Sequence, residues 1–211
     1  MVNGIVNLTR KVLPKISSIP AKNIESVNAM PEMVLSRMRR EGAKNIAYCD
    51  MNQSVAAIIS PNGINTVYAD SLAGCNAANI IARLKDGRLL SIMSHYVPTN
   101  VDGQIKSLET QLTTYAPHID TSRGAQAFLN IRGRDSYAGL EPVSNPIIEK
   151  LKGVLMRFFP KGSKIDITPY LNTNRPAFFS SANIFQFNPS NTSQVKITNV
   201  GENERLVDLV I

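Results

Sequence analysis

Tryptophan is missing from this 211-residue chain, and aromatic residues make up only 6% of it. With no run that resembles the aromatic and basic consensus of an RNA-recognition sheet, the composition argues against nucleic acid as the main partner. Cysteine is nearly absent too. Cys49 and Cys75 are too few for a disulfide framework and lack the paired spacing of a zinc site, so the chain is expected to work reduced. His95 and His118 are the only histidines. The sequence therefore implies neither a structural metal nor a cofactor, and no phosphate-cradling glycine loop occurs. Asp135, Glu141 and the other carboxylates show no close pairing of the kind glycosidase or metal chemistry needs. No apolar stretch approaches the roughly 20 residues that cross a bilayer, since Arg, Lys and Asp interrupt the candidates around 80–84 and 89–93. The N-terminal run MVNGIVNLTRKVLPKISSIPAK lacks the apolar region and small-residue cleavage site of a general secretory signal. Delivery by a specialised injection machine would leave no such mark and stays open.

What is present, 43% apolar and 18% charged residues with 12 Gly and 12 Pro, describes one ordinary soluble domain in a reducing compartment. The net charge of +7 is uneven: residues 1–45 hold eight Lys and Arg against three acidic residues. Pro14, Pro20 and Pro31 break that region up, so residues 1–30 read as a basic arm and 31–211 as a single domain. An arm of this charge suits an anionic partner or surface. The segment 31–44 has Met33, Val34 and Met38 on one helical stripe and Gly42 as a stop, which predicts a short helix. Met30, Met33 and Met38 read as packing rather than as a partner groove.

Strands are expected over 44–51, 54–60 and 64–70, with Pro61-Asn62-Gly63 turning between the last two. Segments 76–84 and 88–97 read as a hairpin around Lys85-Asp86-Gly87, a three-residue loop with glycine where a left-handed residue is needed. That loop pairs Leu84 with Arg88, and counting back sets His95 opposite Ala77, diagonal to Cys75 on the same face. A two-residue turn would shift the register by one and separate them. Helices follow over 97–116 and 145–159, with Ile105, Leu108 and Leu112, then Ile148, Leu151, Val154, Leu155 and Phe158, at helical spacing. A strand at 126–133 lies between them, and 164–171, 177–187, 194–200 and 205–211 complete the set. The expected fold is α+β: a layered sandwich with a mostly antiparallel β core flanked by helices.

Cys75 stands in SLAGCNA, where Gly74 frees the backbone and small neighbours keep the sulfur reachable. Amides of such a turn can receive an oxyanion. His95 is the other residue this geometry brings close, and a Cys–His pair within hydrogen-bond reach makes a thiolate nucleophile of an otherwise protonated thiol. A lone cysteine in an apolar segment also fits a plain core residue. Cys49, inside an apolar strand, reads as core, and His118, after Ala116-Pro117, as an exposed loop residue.

The run SLAGC resembles the Ser-Leu-Ser-Gly-Cys motif of the cytotoxic necrotizing factor catalytic domain and of Burkholderia lethal factor, with Ala73 in place of the second serine. The wider run SLAGCNAANIIARLKDGRLLSIMSHYVPT is similar to the chemotaxis receptor deamidases of the CheD type, and the helix, strand and helix over 103–115, 126–132 and 146–159 follow in the same order. The motif covers about 25 residues and the order of elements about 130. The resemblance implies a deamidase-toxin or CheD-like fold and a protein glutamine deamidase, with Cys75 as nucleophile and His95 as general base and acid. It further implies a thioester intermediate, transglutamination where an amine replaces water, and a bacterial effector or toxin that modifies a glutamine of a host protein, entering host cytosol. The CheD threonine six residues before the cysteine is Ala69 here, whereas the necrotizing factors use a backbone carbonyl to orient the histidine. Asp70 and Ser71 are further candidates for a third element. The competing readings are a non-catalytic binding domain whose basic arm recognises an anionic partner, and a cysteine peptidase or amidase using the same pair.

Overall fold

The computed structural model describes residues 22–23, 45–60, 62–69, 72, 74–136, 139–142, 146–170, 183–188, 191–199 and 203–211. The expected helix over 31–44, Met30, and the basic arm apart from Lys22 and Asn23 lie outside the described residues. In chain order the strands are β1 (Lys22–Asn23), β2 (Asn45–Tyr48), β3 (Gln53–Ile59), β4 (Ile64–Ala69), β5 (Asn76–Arg83) and β6 (Leu89–Tyr96). Helix α1 (Val101–Tyr115), β7 (Ala125–Ser136), β8 (Gly139–Pro142), α2 (Ile147–Phe158), β9 (Ser163–Tyr170), β10 (Asn183–Asn188), β11 (Asn191–Asn199) and β12 (Asn203–Asp208) follow. This is an α+β fold built on one curled, mixed sheet.

The curl begins at a corner that the sequence marks only as a turn. Strands β3 and β4 touch at a single pair, Ile59 and Ile64, with the Ser60 and Gly63 amides closing the bend. Beyond it the chain enters two leaves. In one, β4 lies between β2 and β10, and β11 and β12 continue outward. In the other, β3, β6, β5, β7 and β9 run side by side. Among the described pairs, only β2–β4, β7–β9 and the β3–β4 contact are parallel.

Alternation of side chains explains why the leaves close on each other. Val55, Ala57, Ile81, Met93 and Phe128 of one leaf share a buried cluster with Val67, Phe185, Phe187, Val195 and Ile197 of the other. The Phe128 and Phe185 rings meet at 5.4 Å, tilted by 57°. At the open edge the Arg205 guanidinium sits 5.8 Å from the Phe128 ring centre and donates to Thr168 Oγ1 at 3.2 Å. The buried Gln126 amide donates to Asp166 and accepts from the Val210 N–H, tying the C-terminal segment to the same edge.

The alternate positions of the second leaf, Ala78, Ile80, Ala82, Leu90 and Ile92, face the helices. Against them α1 lays Val101, Leu108 and Leu112, and α2 lays Ile147, Leu151, Val154 and Leu155. Of the expected stripes, Ile105, Ile148 and Phe158 are only partly buried beside this core, and Val101 and Ile147 take the buried places. Asn100 caps α1 by accepting from the Gly103 N–H. Gln104 interrupts the α1 stripe without cost to its donor end, because its amide donates to Ser94 Oγ at 2.9 Å while Ser94 donates to the Ala78 carbonyl. Lys150–Asp102 and Arg157–Glu109 link the helices at the surface. Among the described helices none is long and apolar enough to cross a membrane.

Gly124 and Gly162 immediately precede β7 and β9 and allow a test of backbone strain. Both have positive φ, but a Cβ on Gly124 would sit 2.2 Å from the Gly162 carbonyl oxygen, whereas one on Gly162 meets nothing within 4 Å. Gly162→Ala is expected to cost about 1–2 kcal/mol from its positive φ alone and Gly124→Ala about 3–4 kcal/mol, since it adds the clash with main chain, compared by urea midpoints. Equal losses would mean that the close approach is relieved by a backbone shift.

Candidate active site

The hairpin loop forms with Gly87 at φ +87°, and the Leu84 N–H bonds the Arg88 carbonyl at 2.8 Å. The register that follows places His95 opposite Ala77, as the three-residue loop requires. His95 shares the parity of Met93, so it faces the space between the leaves; it is 1% exposed. On its other side it pairs with Gln53 of β3.

Cys75 is the residue immediately before β5 and packs with Leu72, Ala77, Tyr170 and Val97. Gly74 adopts φ +113°, a conformation that disfavours any side chain, and its N–H turns back to the Leu72 carbonyl at 2.8 Å. Cys75 and Ala77 thus share one face, and His95 is the diagonal neighbour of Cys75. Such neighbours lie about 7–8 Å apart between backbones, a gap that closes only when both side chains turn toward each other, and no hydrogen bond joins the Cys75 thiol to His95 in this arrangement.

Three residues that sequence reasoning missed frame this end of the sheet. The buried Tyr170 hydroxyl accepts from the Gly74 N–H at 3.0 Å and donates to the Cys75 carbonyl at 2.5 Å. Asn130 pairs with Ala77 from β7, so the small alanine stands between His95 and a second buried polar residue, with Thr168 next in the same row. Asn52, at φ 59°, sends its N–H to the His95 carbonyl at 2.6 Å, and its side-chain oxygen accepts from the Val97 N–H at 3.5 Å. Asparagine tolerates this left-handed conformation better than most residues. The loop after β2 thereby holds the end of β6 on both sides of Tyr96.

Ala69, the position of the CheD threonine, ends β4 as a fully buried methyl. Asp70, Ser71 and Ala73 lie outside the described residues. His118 is half-buried rather than exposed, and its carbonyl accepts from the Lys85 N–H at the far end of the hairpin. The fold does not bring it to Cys75. Among the described residues no group of three His, Cys, Asp or Glu could hold a metal ion.

The two cysteines differ electrostatically. Burial pushes the Cys75 thiol above its ordinary value. Cys49, whose Sγ donates to the Gln53 and Met93 carbonyls at 3.3 and 3.4 Å, is pushed up to about 12 by burial and then by the Asp50 charge. Because the folded state keeps the Cys49 proton that an unfolded chain releases, stability is expected to fall as pH rises from the ordinary value of 9.0 toward 12. The slope from this group is about 1.4 kcal/mol per pH unit, checked by urea melts against Cys49→Ala. A Cys49→Ala protein that loses stability just as steeply would remove this thiol as the cause.

No protein-family model matches the sequence, and no curated protein matches it significantly.

Proposed function

We propose that the protein is a cysteine-dependent glutamine deamidase acting on a protein substrate through Cys75 and His95. The observation that carries this reading is the register: a nucleophile on a glycine-freed turn and an imidazole on the neighbouring strand share one face at the end of the sheet. The short motif around Cys75 and the order of the following elements, resembling the necrotizing factor and CheD deamidases, support the same chemistry.

A buried thiol resists ionisation, so the resting pair is a neutral thiol and an imidazole that takes its proton as the sulfur attacks. The new bond joins Cys75 Sγ to the carboxamide carbon of a glutamine side chain. As the tetrahedral intermediate collapses the C–N bond breaks, and His95 returns the proton to the departing ammonia. Water, deprotonated by His95, then cleaves the thioester to give glutamate and restores the thiol; an amine in its place gives a transglutaminated product. The Cys75 N–H, beside the sulfur, is the main-chain donor suited to the developing oxyanion. On this reading the basic N-terminal region serves delivery, as in an injected bacterial effector, or docking to an anionic partner.

Burial of Cys75 also favours a second reading, a non-catalytic binding domain in which the cysteine only packs. A cell extract treated with the native protein or with Cys75→Ala separates the two. Deamidation appears as about one dalton gained at a glutamine in the native sample alone, whereas cut chains would identify a peptidase. No covalent change in any extract protein would favour the binding domain.

A further inference from the structure

Resting on the deamidase reading, we infer that Tyr170 is the positioning residue of the site: its hydroxyl fixes the main chain on both sides of the nucleophile. The hydroxyl is used twice, as acceptor for the Gly74 N–H and as donor to the Cys75 carbonyl. Between these two groups lies the Gly74–Cys75 peptide unit, whose orientation sets the direction of both the thiol and the Cys75 N–H. Gly74 alone would leave that unit free to rotate, because a residue without a side chain fixes its backbone poorly. A phenol bridging one N–H and the next carbonyl removes the freedom and supplies what a paired strand supplies elsewhere.

The bridge also decides which amide serves the oxyanion. The Gly74 N–H is shared between the Leu72 carbonyl and Tyr170. It is committed to the fold, which leaves the Cys75 N–H for the substrate. Tyr170 suits this task because it is anchored independently of the turn. It ends β9, in parallel register with Arg132 of β7, and its ring packs in the cluster with Leu72 and Ala77. Phenylalanine can keep that packing and lacks the hydroxyl that makes the two hydrogen bonds.

The test is peptide-resolved alkylation by iodoacetamide at pH 7, in the native protein, Tyr170→Phe, His95→Ala and the double variant. The His95-dependent part of the Cys75 rate is expected to fall about tenfold in Tyr170→Phe, two hydrogen bonds of ordinary net worth being lost, with Cys49 still unlabelled. In the His95→Ala background the same change is expected to do almost nothing. A para-aminophenylalanine at position 170, which still has a donor, is expected to recover most of the rate.

A native-like His95-dependent rate in Tyr170→Phe would overturn the inference and leave the deamidase reading standing. So would equal losses with and without His95, or labelling of Cys49, either of which makes Tyr170 a structural post. Absence of any His95-dependent rate in the native protein would instead remove the reading on which the inference rests.

Discussion

His95→Ala is expected to lower the rate of glutamine hydrolysis by about 10²–10⁴-fold, the usual worth of a positioned general base, with little change in KM. The loss should fall toward the upper end of that range because Cys75 is buried. An exposed thiol is partly ionised near neutral pH and can attack unaided, whereas burial raises the Cys75 thiol and makes the attack depend on a proton acceptor beside it. The substitution leaves a gap next to the small side chain of Ala77, on the face shared with Cys75. Added imidazole is therefore expected to restore part of the lost rate in His95→Ala and none in Cys75→Ala. An unchanged rate in His95→Ala would show that Cys75 does not use this histidine.

The second large effect is structural. Phe185→Ala is expected to cost about 3–5 kcal/mol, a large share of the 5–15 kcal/mol that holds a domain together. Phe185 is fully buried on β10, opposite Val67, and its ring meets Phe128 across the space between the leaves. Its removal leaves a cavity where the two leaves touch ring to ring. Met156→Ala, on the exposed side of α2 at 69% exposure, is expected to change stability by about 0.5 kcal/mol or less. Urea midpoints compare the two. A loss under 1 kcal/mol for Phe185→Ala would mean that the leaves are not held by this core.

The part of the candidate site legible in the sequence is the part governed by local rules. A glycine at the third position of a three-residue loop sets the hairpin register, and the register fixes the relation of His95 to Cys75 without any long-range information. Gly74 is readable for the same reason, since a small-residue turn before an apolar strand announces an unusual backbone angle. The helical spacing of Leu108 and Leu112, and of Leu151, Val154 and Leu155, is equally local.

What was not legible depends on contacts distant in sequence. Tyr170 lies 95 residues from Cys75, and within KIDITPYL it reads only as an apolar position near a strand end. Asn130 reaches the site through β5–β7 pairing, and nothing in QAFLNIRG says which strand it joins. The divergence of β3 and β4 escapes the pattern as well, because the same turn residues serve a hairpin or a corner between two leaves. Strand β8, with glycine and proline in four residues, has no alternation to detect, and β1 falls within a stretch that reads as an arm.

The most direct test of the central claim, that Cys75 is activated by His95, is the alkylation rate of each cysteine from pH 5 to 9 in the native protein and in His95→Ala. The account predicts fast labelling of Cys75 at pH values well below the range in which a buried thiol ionises on its own, with Cys49 silent throughout. In His95→Ala the low-pH limb should vanish and Cys75 should label only toward pH 9. Slow labelling of Cys75 at every pH, unchanged by the substitution, would contradict the account and make this cysteine part of the packing.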